Sequence, residues 1–348
     1  MTIYSSTPSI PGLEARHLQH LSVTISDSTQ VSEARRTVAE RTASLHFSVQ
    51  AAGEAAIVAT EMAGNLVKHG GGGELLMRTV GDAEHPGIEL LALDSGRGMN
   101  VERCLVDGYS TGSSPGTGLG AIRRLSASSD FYSLPGRGTA VLATIWGDGA
   151  PAEPGEWAVG GINVPLPGEE ICGDAWEVRC REGAIDVAMI DGLGHGPEAA
   201  KAAAAATTAF LARTGRSPSQ SLDDADAALH STRGAAMGVT LIDLQRGRVT
   251  FAGVGNTVAA VITGDASQQL VSFGGIVGQR NIHLREFTAP WSPDSIFVAH
   301  SDGIATRWNL GAYPGLPACH PSLIAGVLYR DFARGRDDAS ILVIQRRP

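Results

Sequence analysis

Residues 147–156 read GDGAPAEPGE, with three glycines and two prolines in ten positions. Proline withholds an amide from any ladder, and glycine pays the largest entropy to be ordered, so neither a helix nor a central strand passes through such a stretch. Apolar patterning stops here and restarts beyond it. At 348 residues the chain has enough material for two cores. The expected organisation is a flexible arm over 1–19, a first domain over 20–147, a linker over 148–156 and a second domain over 157–348.

In the first half, LSVTIS (21–26) alternates like a strand, and 29–46 and 51–69 carry helical spacing. ELLMRTV and GIELLALD read as paired strands, and TAVLATIWG (139–147) as another. Beyond the break, strands are expected at 157–164, 175–180, 184–190, 237–243, 247–253, 257–263, 295–300 and 339–345. Helices are expected at 197–213 and 220–232. Antiparallel strands with inserted helices suggest an α+β chain whose second half is a two-sheet sandwich covered by helices.

Composition excludes several classes. With 43% hydrophobic and 18% charged residues the chain is globular. A net charge of −9 leaves no footprint for nucleic acid. No apolar run reaches the length of a membrane span, and the start lacks a secretory pattern. Cys104, Cys172, Cys180 and Cys319 are scattered, as expected of free thiols in a reducing cytoplasm.

Four pieces of the first half fit a nucleotide pocket. In EMAGNLVKHG, Glu61, Asn65, Lys68 and His69 fall at i, i+4, i+7 and i+8, one polar face of a helix. A carboxylate and an amide one turn apart can hold a magnesium ion and orient a hydroxyl. LLALDSGRGM puts Asp94 at a strand end, where it can accept from an amino group such as that of adenine. Gly96 and Gly98 follow and admit close backbone approach. STGSSPGTGLGAIRRLS (110–126) is a glycine-rich loop opening a helix, whose amides suit phosphates. GRGT (136–139) completes the set.

These pieces resemble the N, G1, G2 and G3 boxes of the Bergerat-fold (GHKL) ATPases, over roughly residues 20–147. The short form, with DGYSTG before the lid, is most similar to RsbT-type serine kinases of bacterial stress switches. The resemblance implies helices on a mixed sheet and an ATP site with Mg2+. Glu61 would be the base or orienter of a substrate hydroxyl, Asn65 a magnesium ligand and Asp94 the adenine acceptor. Gly116, Thr117, Gly118, Leu119 and Gly120 would lie at the phosphates, Thr139 near the adenine and Lys68 on a phosphate.

The second half carries a different chemistry. DGLGHG (191–196) follows the apolar run AIDVAMI, leaving Asp191 bare at the end of a buried strand. Asp174 in ICGDAWEV, Asp302 in VAHSDGIAT, and Asp337 and Asp338 in GRDDASILVI also sit at strand edges. Converging carboxylates repel unless cations neutralise them, and oxygen-only ligands favour magnesium or manganese. Two such ions generate a hydroxide and clamp a phosphoryl group. His195 either contacts substrate or packs at a helix start.

The order GDAW, MIDGLGHG, MGVTLIDLQRGRVTFAGVGN, FVAHSDGI and RDDASILVI resembles the PP2C-type Ser/Thr phosphatases, in their SpoIIE/RsbX-like branch. That resemblance implies two Mn2+ or Mg2+ ions bridged by Asp191. The Gly192 carbonyl, Asp174, Asp302 and Asp337 would be further ligands, and Asp338 stands where the family has Asn. No arginine near the start matches the one that captures phosphate in eukaryotic members. Together the two resemblances imply a bifunctional switch, kinase plus phosphatase. It would act on a STAS-domain anti-sigma antagonist or a stressosome-type partner, and so on a sigma-factor pathway. The alternative is a first domain that binds ATP or an anti-sigma-type partner without phosphorylating it, and regulates the phosphatase.

Overall fold

The computed structural model describes residues 19–104, 118–147, 149, 155–279 and 282–347. They cluster into two compact units. The N-terminal unit contains the described residues of 20–153 together with 312–330. The C-terminal unit contains Gln19 and those of 154–311 and 331–348. The second unit is therefore not the continuous stretch expected from the linker.

In the N-terminal unit, β1 (Leu21–Ile25) leads into α1 (Ser28–Ser44) and α2 (Val49–Asn65). Asp27 caps α1 by accepting from the Thr29 amide, and Gln30 closes the box by accepting from the Asp27 amide. Ser48 caps α2. Past Asn65 the α-helical ladder widens into a π-turn over Leu66–Gly70, which the left-handed Gly71 ends at φ 72°. The expected helix ran to 69; Lys68 and His69 leave its regular 3.6-residue face for this reason.

There follow β2 (Gly73–Gly81), β3 (Pro86–Leu93), the short α3 (Val101–Cys104), α4 (Gly118–Leu125), β4 (Ser128–Ser133) and β5 (Thr139–Trp146). The sheet order is β1-β2-β3-β5-β4, and all four pairings are antiparallel. The mixed sheet expected from the resemblance is not what forms. The strands that run parallel to β3 are β1 and β4, and each is separated from it by an antiparallel strand, β2 or β5. One face, with Leu75, Met77, Ile88, Leu90 and Val141, packs on Val58, Met62 and Leu66.

The C-terminal unit opens with β6 (Trp157–Val164), β7 (Asp174–Arg181) and β8 (Ala184–Gly192). α5 (Pro197–Ala212) and α6 (Pro218–Leu229) come next, then β9 (Ala235–Asp243), β10 (Arg248–Val254), β11 (Val258–Thr263), β12 (Ala266–Val271), β13 (Phe287–Pro290) and β14 (Ile296–His300). After α7 (Pro321–Phe332) the chain ends in β15 (Ala339–Arg346). Two five-stranded antiparallel sheets form, β13-β10-β9-β8-β7 and β12-β11-β14-β15-β6. The period of two along β8 sends Ile185, Val187 and Met189 between the sheets, against Phe297 and Leu342. It sends Ala188 and Ile190 outward onto α5 and α6, where Ala203, Ala206 and Leu222 receive them. The alanine-rich run of α5 is thus a close-packing face.

The other face of the N-terminal sheet is covered by α7. A side chain on Gly326 would collide with Leu91 and touch Leu93. Tyr329 donates to Glu74 at 3.2 Å. At the centre, the buried Arg78 Nε pairs with Glu89 at 2.7 Å, and Ser322 donates to Glu89 Oε2 at 2.9 Å. Burial alone would raise the Glu89 pKa; the Arg78 charge and hydrogen bond outweigh it and hold the carboxyl below its ordinary value.

Removing one partner of such a pair leaves a buried charge uncompensated. Arg78→Met is expected to destabilise the protein by about 3–5 kcal/mol, and Arg78→Met with Glu89→Leu to recover most of it. Because the Glu89 pKa is lowered by folding, the pair's contribution is full above the ordinary carboxylate range. It is lost as pH falls through the depressed folded value. Urea unfolding of the three proteins near neutral pH and in acid checks both points.

Candidate metal centre and nucleotide site

In the N-terminal unit three glycines crowd Asp94. A Cβ on Gly70 would lie 2.7 Å from the Asp94 Cβ, one on Gly96 would lie 3.0 Å from its Oδ1, and one on Gly138 would lie 1.9 Å from its carbonyl oxygen. Only glycine permits this approach, and Gly138 is also left-handed at φ 82°. Asp94 Oδ1 accepts from the amides of Gly96 at 2.8 Å and Thr139 at 3.2 Å. Its Oδ2 takes no hydrogen bond among the described residues and remains an acceptor. Burial raises the Asp94 pKa, opposed by those two amides and the charges of Arg330 and His69. Arg330 Nη1 also donates to the Asp94 carbonyl at 3.0 Å, a contact that sequence reasoning missed because Arg330 lies 236 residues away.

Glu61 and Asn65 converge at the start of α4. A Cβ on Gly118 would stand 2.9 Å from Glu61 Oε2 and 3.6 Å from Asn65 Oδ1. Gly120 is buried, and Leu119 packs against the core. Gly98 is left-handed at φ 71°, with the Leu134 carbonyl against it. Thr139 Oγ1 meets Ser133 Oγ at 3.0 Å. Lys68 is exposed in the π-turn. Gly116 and Thr117 lie outside the described residues. The free acceptor, the glycine cradle, and the Glu61–Asn65 pair facing Gly118 suit an adenine nucleotide and its magnesium ion.

In the C-terminal unit the strand register builds an acidic cluster. Asp174 opens β7 and pairs directly with Asp191 near the end of β8. Asp302 follows β14, and Asp337 and Asp338 precede β15. Burial pushes the Asp174 carboxyl well up, and Asp191, Asp338 and Asp337 add to this, while a hydrogen bond from Ser301 opposes it. Asp191 is raised to about 7, by burial first and then by Asp302, Asp337 and Asp338. Asp302 is raised by burial and by Asp337.

The Oδ2 atoms of Asp174 and Asp191 are buried without a hydrogen-bond partner. Two orphan anionic oxygens among mutually repelling acids fit hard divalent cations. Among the described residues, no three His, Cys, Asp or Glu side chains form a ready-made cage by themselves.

Not every acid is equally available. Asp338 spends Oδ1 on the Leu166 amide at 2.6 Å and Oδ2 on the Gly173 amide at 2.7 Å. It ties the two ends of the β6–β7 loop to the start of β15 and offers an ion only its remaining lone pairs. Asn256 donates to Asp302 Oδ2 and fixes that carboxylate; sequence reading passed over it as part of a strand motif. Gly192 has no room for a side chain, since a Cβ would lie 2.2 Å from the Ala199 carbonyl oxygen. His195 Nδ1 lies 2.7 Å from Glu169 Oε1, a hydrogen bond that holds the exposed ring.

Residues 181–347 match the family Stage II sporulation protein E (SpoIIE). The two-sheet α+β sandwich that contains them is the arrangement that the PP2C resemblance implied. Phosphoserine phosphatase RsbX of Bacillus subtilis (strain 168) is 24% identical over 139 residues, 39% of this chain and 69% of that one. Serine/threonine-protein kinase RsbT of the same organism is 31% identical over 88 residues, 25% of this chain. The chain spans 66% of the length of RsbT. A solved structure described as "The bacterial stressosome: a modular system that has been adapted to control secondary messenger signaling" matches with a TM-score of 0.51 and 28% identity. It covers 55% of this chain and 100% of that one. Among the described residues no helix is long and apolar enough to cross a membrane.

The repulsion within the acidic cluster has a measurable consequence. In chelator, Asp191→Asn should melt at a higher temperature than the wild type, because one repelling charge is gone. Added Mn2+ should raise the melting temperature of the wild type and leave that of the variant nearly unmoved. Thermal melts with and without Mn2+ check this.

Proposed function

We propose that the C-terminal unit is a metal-dependent phosphoserine/phosphothreonine phosphatase. The observation that carries this is the pair of orphan buried oxygens on Asp174 and Asp191, set among Asp302, Asp337 and Asp338; the match of residues 181–347 to the SpoIIE family supports it. Asp191, Asp174, Asp302, Asp337 and the Gly192 carbonyl would hold Mn2+ or Mg2+ ions. Bound divalent ions supply Lewis acidity at the phosphoryl oxygens and lower the pKa of a water. The chain's own part is to hold the acids in place: Asn256 and Ser301 orient Asp302 and Asp174, and Asp338 locks the surrounding loops.

The N-terminal unit is proposed as the opposing activity, an ATP-dependent serine kinase. The convergence of Glu61 and Asn65 on Gly118 supports it, as does the similarity to RsbT. Asp94 Oδ2 would take the adenine amino group, Asn65 would hold magnesium, and Glu61 Oε2 would receive the proton of the acceptor hydroxyl. The similarity to RsbX and RsbT, and to a structure described as a stressosome, favours a STAS-domain or stressosome-type partner as the common substrate.

Asp191→Ala is expected to abolish Mn2+-dependent hydrolysis of an aryl phosphate, and chelator to do the same to the wild type. Turnover that ignores both would exclude the metal centre. Asp94→Asn should weaken ATP binding measured by calorimetry with Mg2+ present, and Glu61→Ala should spare binding but stop transfer of labelled γ-phosphate to a partner. If the wild type binds ATP and labels no partner protein, the N-terminal unit is a nucleotide-binding module rather than a kinase.

A further inference from the structure

The acidic cluster poses a problem that its ions only partly solve. A substrate phosphoryl group is a dianion and must approach five carboxylates. A fixed cation outside the ion set would select for the phosphoryl group and orient it. No arginine near the start of the domain fills that place in the sequence.

We propose that Arg233 is the phosphate-capturing residue of this site; the proposal rests on the phosphatase reading above. β9 begins at Ala235, and its register sets Gly192 against Ala235 and Asp191 against Ala236. Arg233 therefore lies two residues before the strand that flanks Asp191. The Leu193 amide donates to the Gly234 carbonyl at 3.0 Å, which clips the backbone beside Arg233 to the DGLGHG loop. A Cβ on Gly194 would stand 3.4 Å from Arg233 Nη1, so the guanidinium lies over the bare backbone of that loop.

The state of the guanidinium completes the argument. Arg233 is exposed and has no hydrogen bond or ion pair among the described residues. Elsewhere in the unit Arg181 is tied to Asp186, Arg216 to Asp224 and Arg246 to Asp243. The loop's own histidine, His195, is engaged by Glu169. Arg334, also near the cluster, acts on Asp302, whose pKa it lowers. Arg233 keeps its fork of donors for an incoming oxyanion, and a guanidinium binds two phosphate oxygens at once.

The test uses the full chain with Mn2+, as wild type, Arg233→Ala, Arg233→Lys and, as a control for net charge, Arg213→Ala. Inorganic phosphate binding is measured by calorimetry, hydrolysis of an aryl phosphate and a phosphoserine peptide by steady-state kinetics, and Mn2+ binding by the shift in melting temperature. Arg233→Ala should weaken phosphate binding and raise KM by about 10- to 100-fold, the loss of charge-assisted hydrogen bonds. Arg233→Lys should recover part of it, Arg213→Ala should match the wild type, and the Mn2+ shift should be the same in all four. Wild-type phosphate affinity and KM in Arg233→Ala, with hydrolysis intact, would overturn the proposal and spare the phosphatase reading. Arg233-dependent phosphate binding without any hydrolysis by the wild type would support the capture site and sink the phosphatase reading. A lost Mn2+ shift in Arg233→Ala would make the residue part of the metal centre's architecture and overturn the proposal.

Discussion

Electrostatic repulsion between carboxylates at the ends of β7, β8, β14 and β15 is the constraint that organises the C-terminal unit. Strand pairing brings Asp174 and Asp191 into direct register, and burial raises the cost of charge on both. Such a cluster survives folding only where its surroundings are over-determined. Asp338 bonds two loop amides, Asn256 holds Asp302, and Gly303 presses so closely on Asp338 that a side chain there would lie 1.9 Å from its carbonyl oxygen. The sandwich core stays apolar and rigid, and the electrostatic cost is concentrated at one end of the strands, where ions can offset it.

The N-terminal site meets the opposite problem. Among the described residues no carboxylate figures among the main influences on its buried Asp94, and two backbone amides shape it instead. Amides of Gly96 and Thr139 take one oxygen, glycines strip the walls, and the other oxygen is left for a ligand. The same residue type therefore has its charge settled by amides in one unit and left to repel other acids in the other.

Much of this was legible in the sequence. β2, β3, β5 and β8 stood out as short apolar runs because both faces of each are covered. The acids stood out because each ends an apolar run. What was missed lacked such a signal. β12 buries a single residue and β13 has four residues, so neither carries a readable period. α7 buries every residue from Pro321 to Leu328, and a helix buried on all sides shows no amphipathic stripe. The π-turn after Asn65 broke the spacing used to place Lys68 and His69 on one face. Arg233 and Arg330 escaped notice because a strand register and a long-range helix contact, not sequence proximity, bring them to their sites.

The placement of 312–330 bears on how such a chain could arise and be taken apart. The proline-rich break at 147–156 looks like a seam at which two independent genes were joined. The fold says otherwise, since Ser322, Gly326 and Tyr329 complete a sheet whose strands end before that seam. A fragment cut at the linker would leave Leu91, Leu93 and the Arg78–Glu89 pair facing water. The piece carrying α7 would keep a mostly apolar helix without its sheet. The two activities proposed for this chain are interleaved in its backbone, so neither half can be traded between proteins as a self-sufficient cassette.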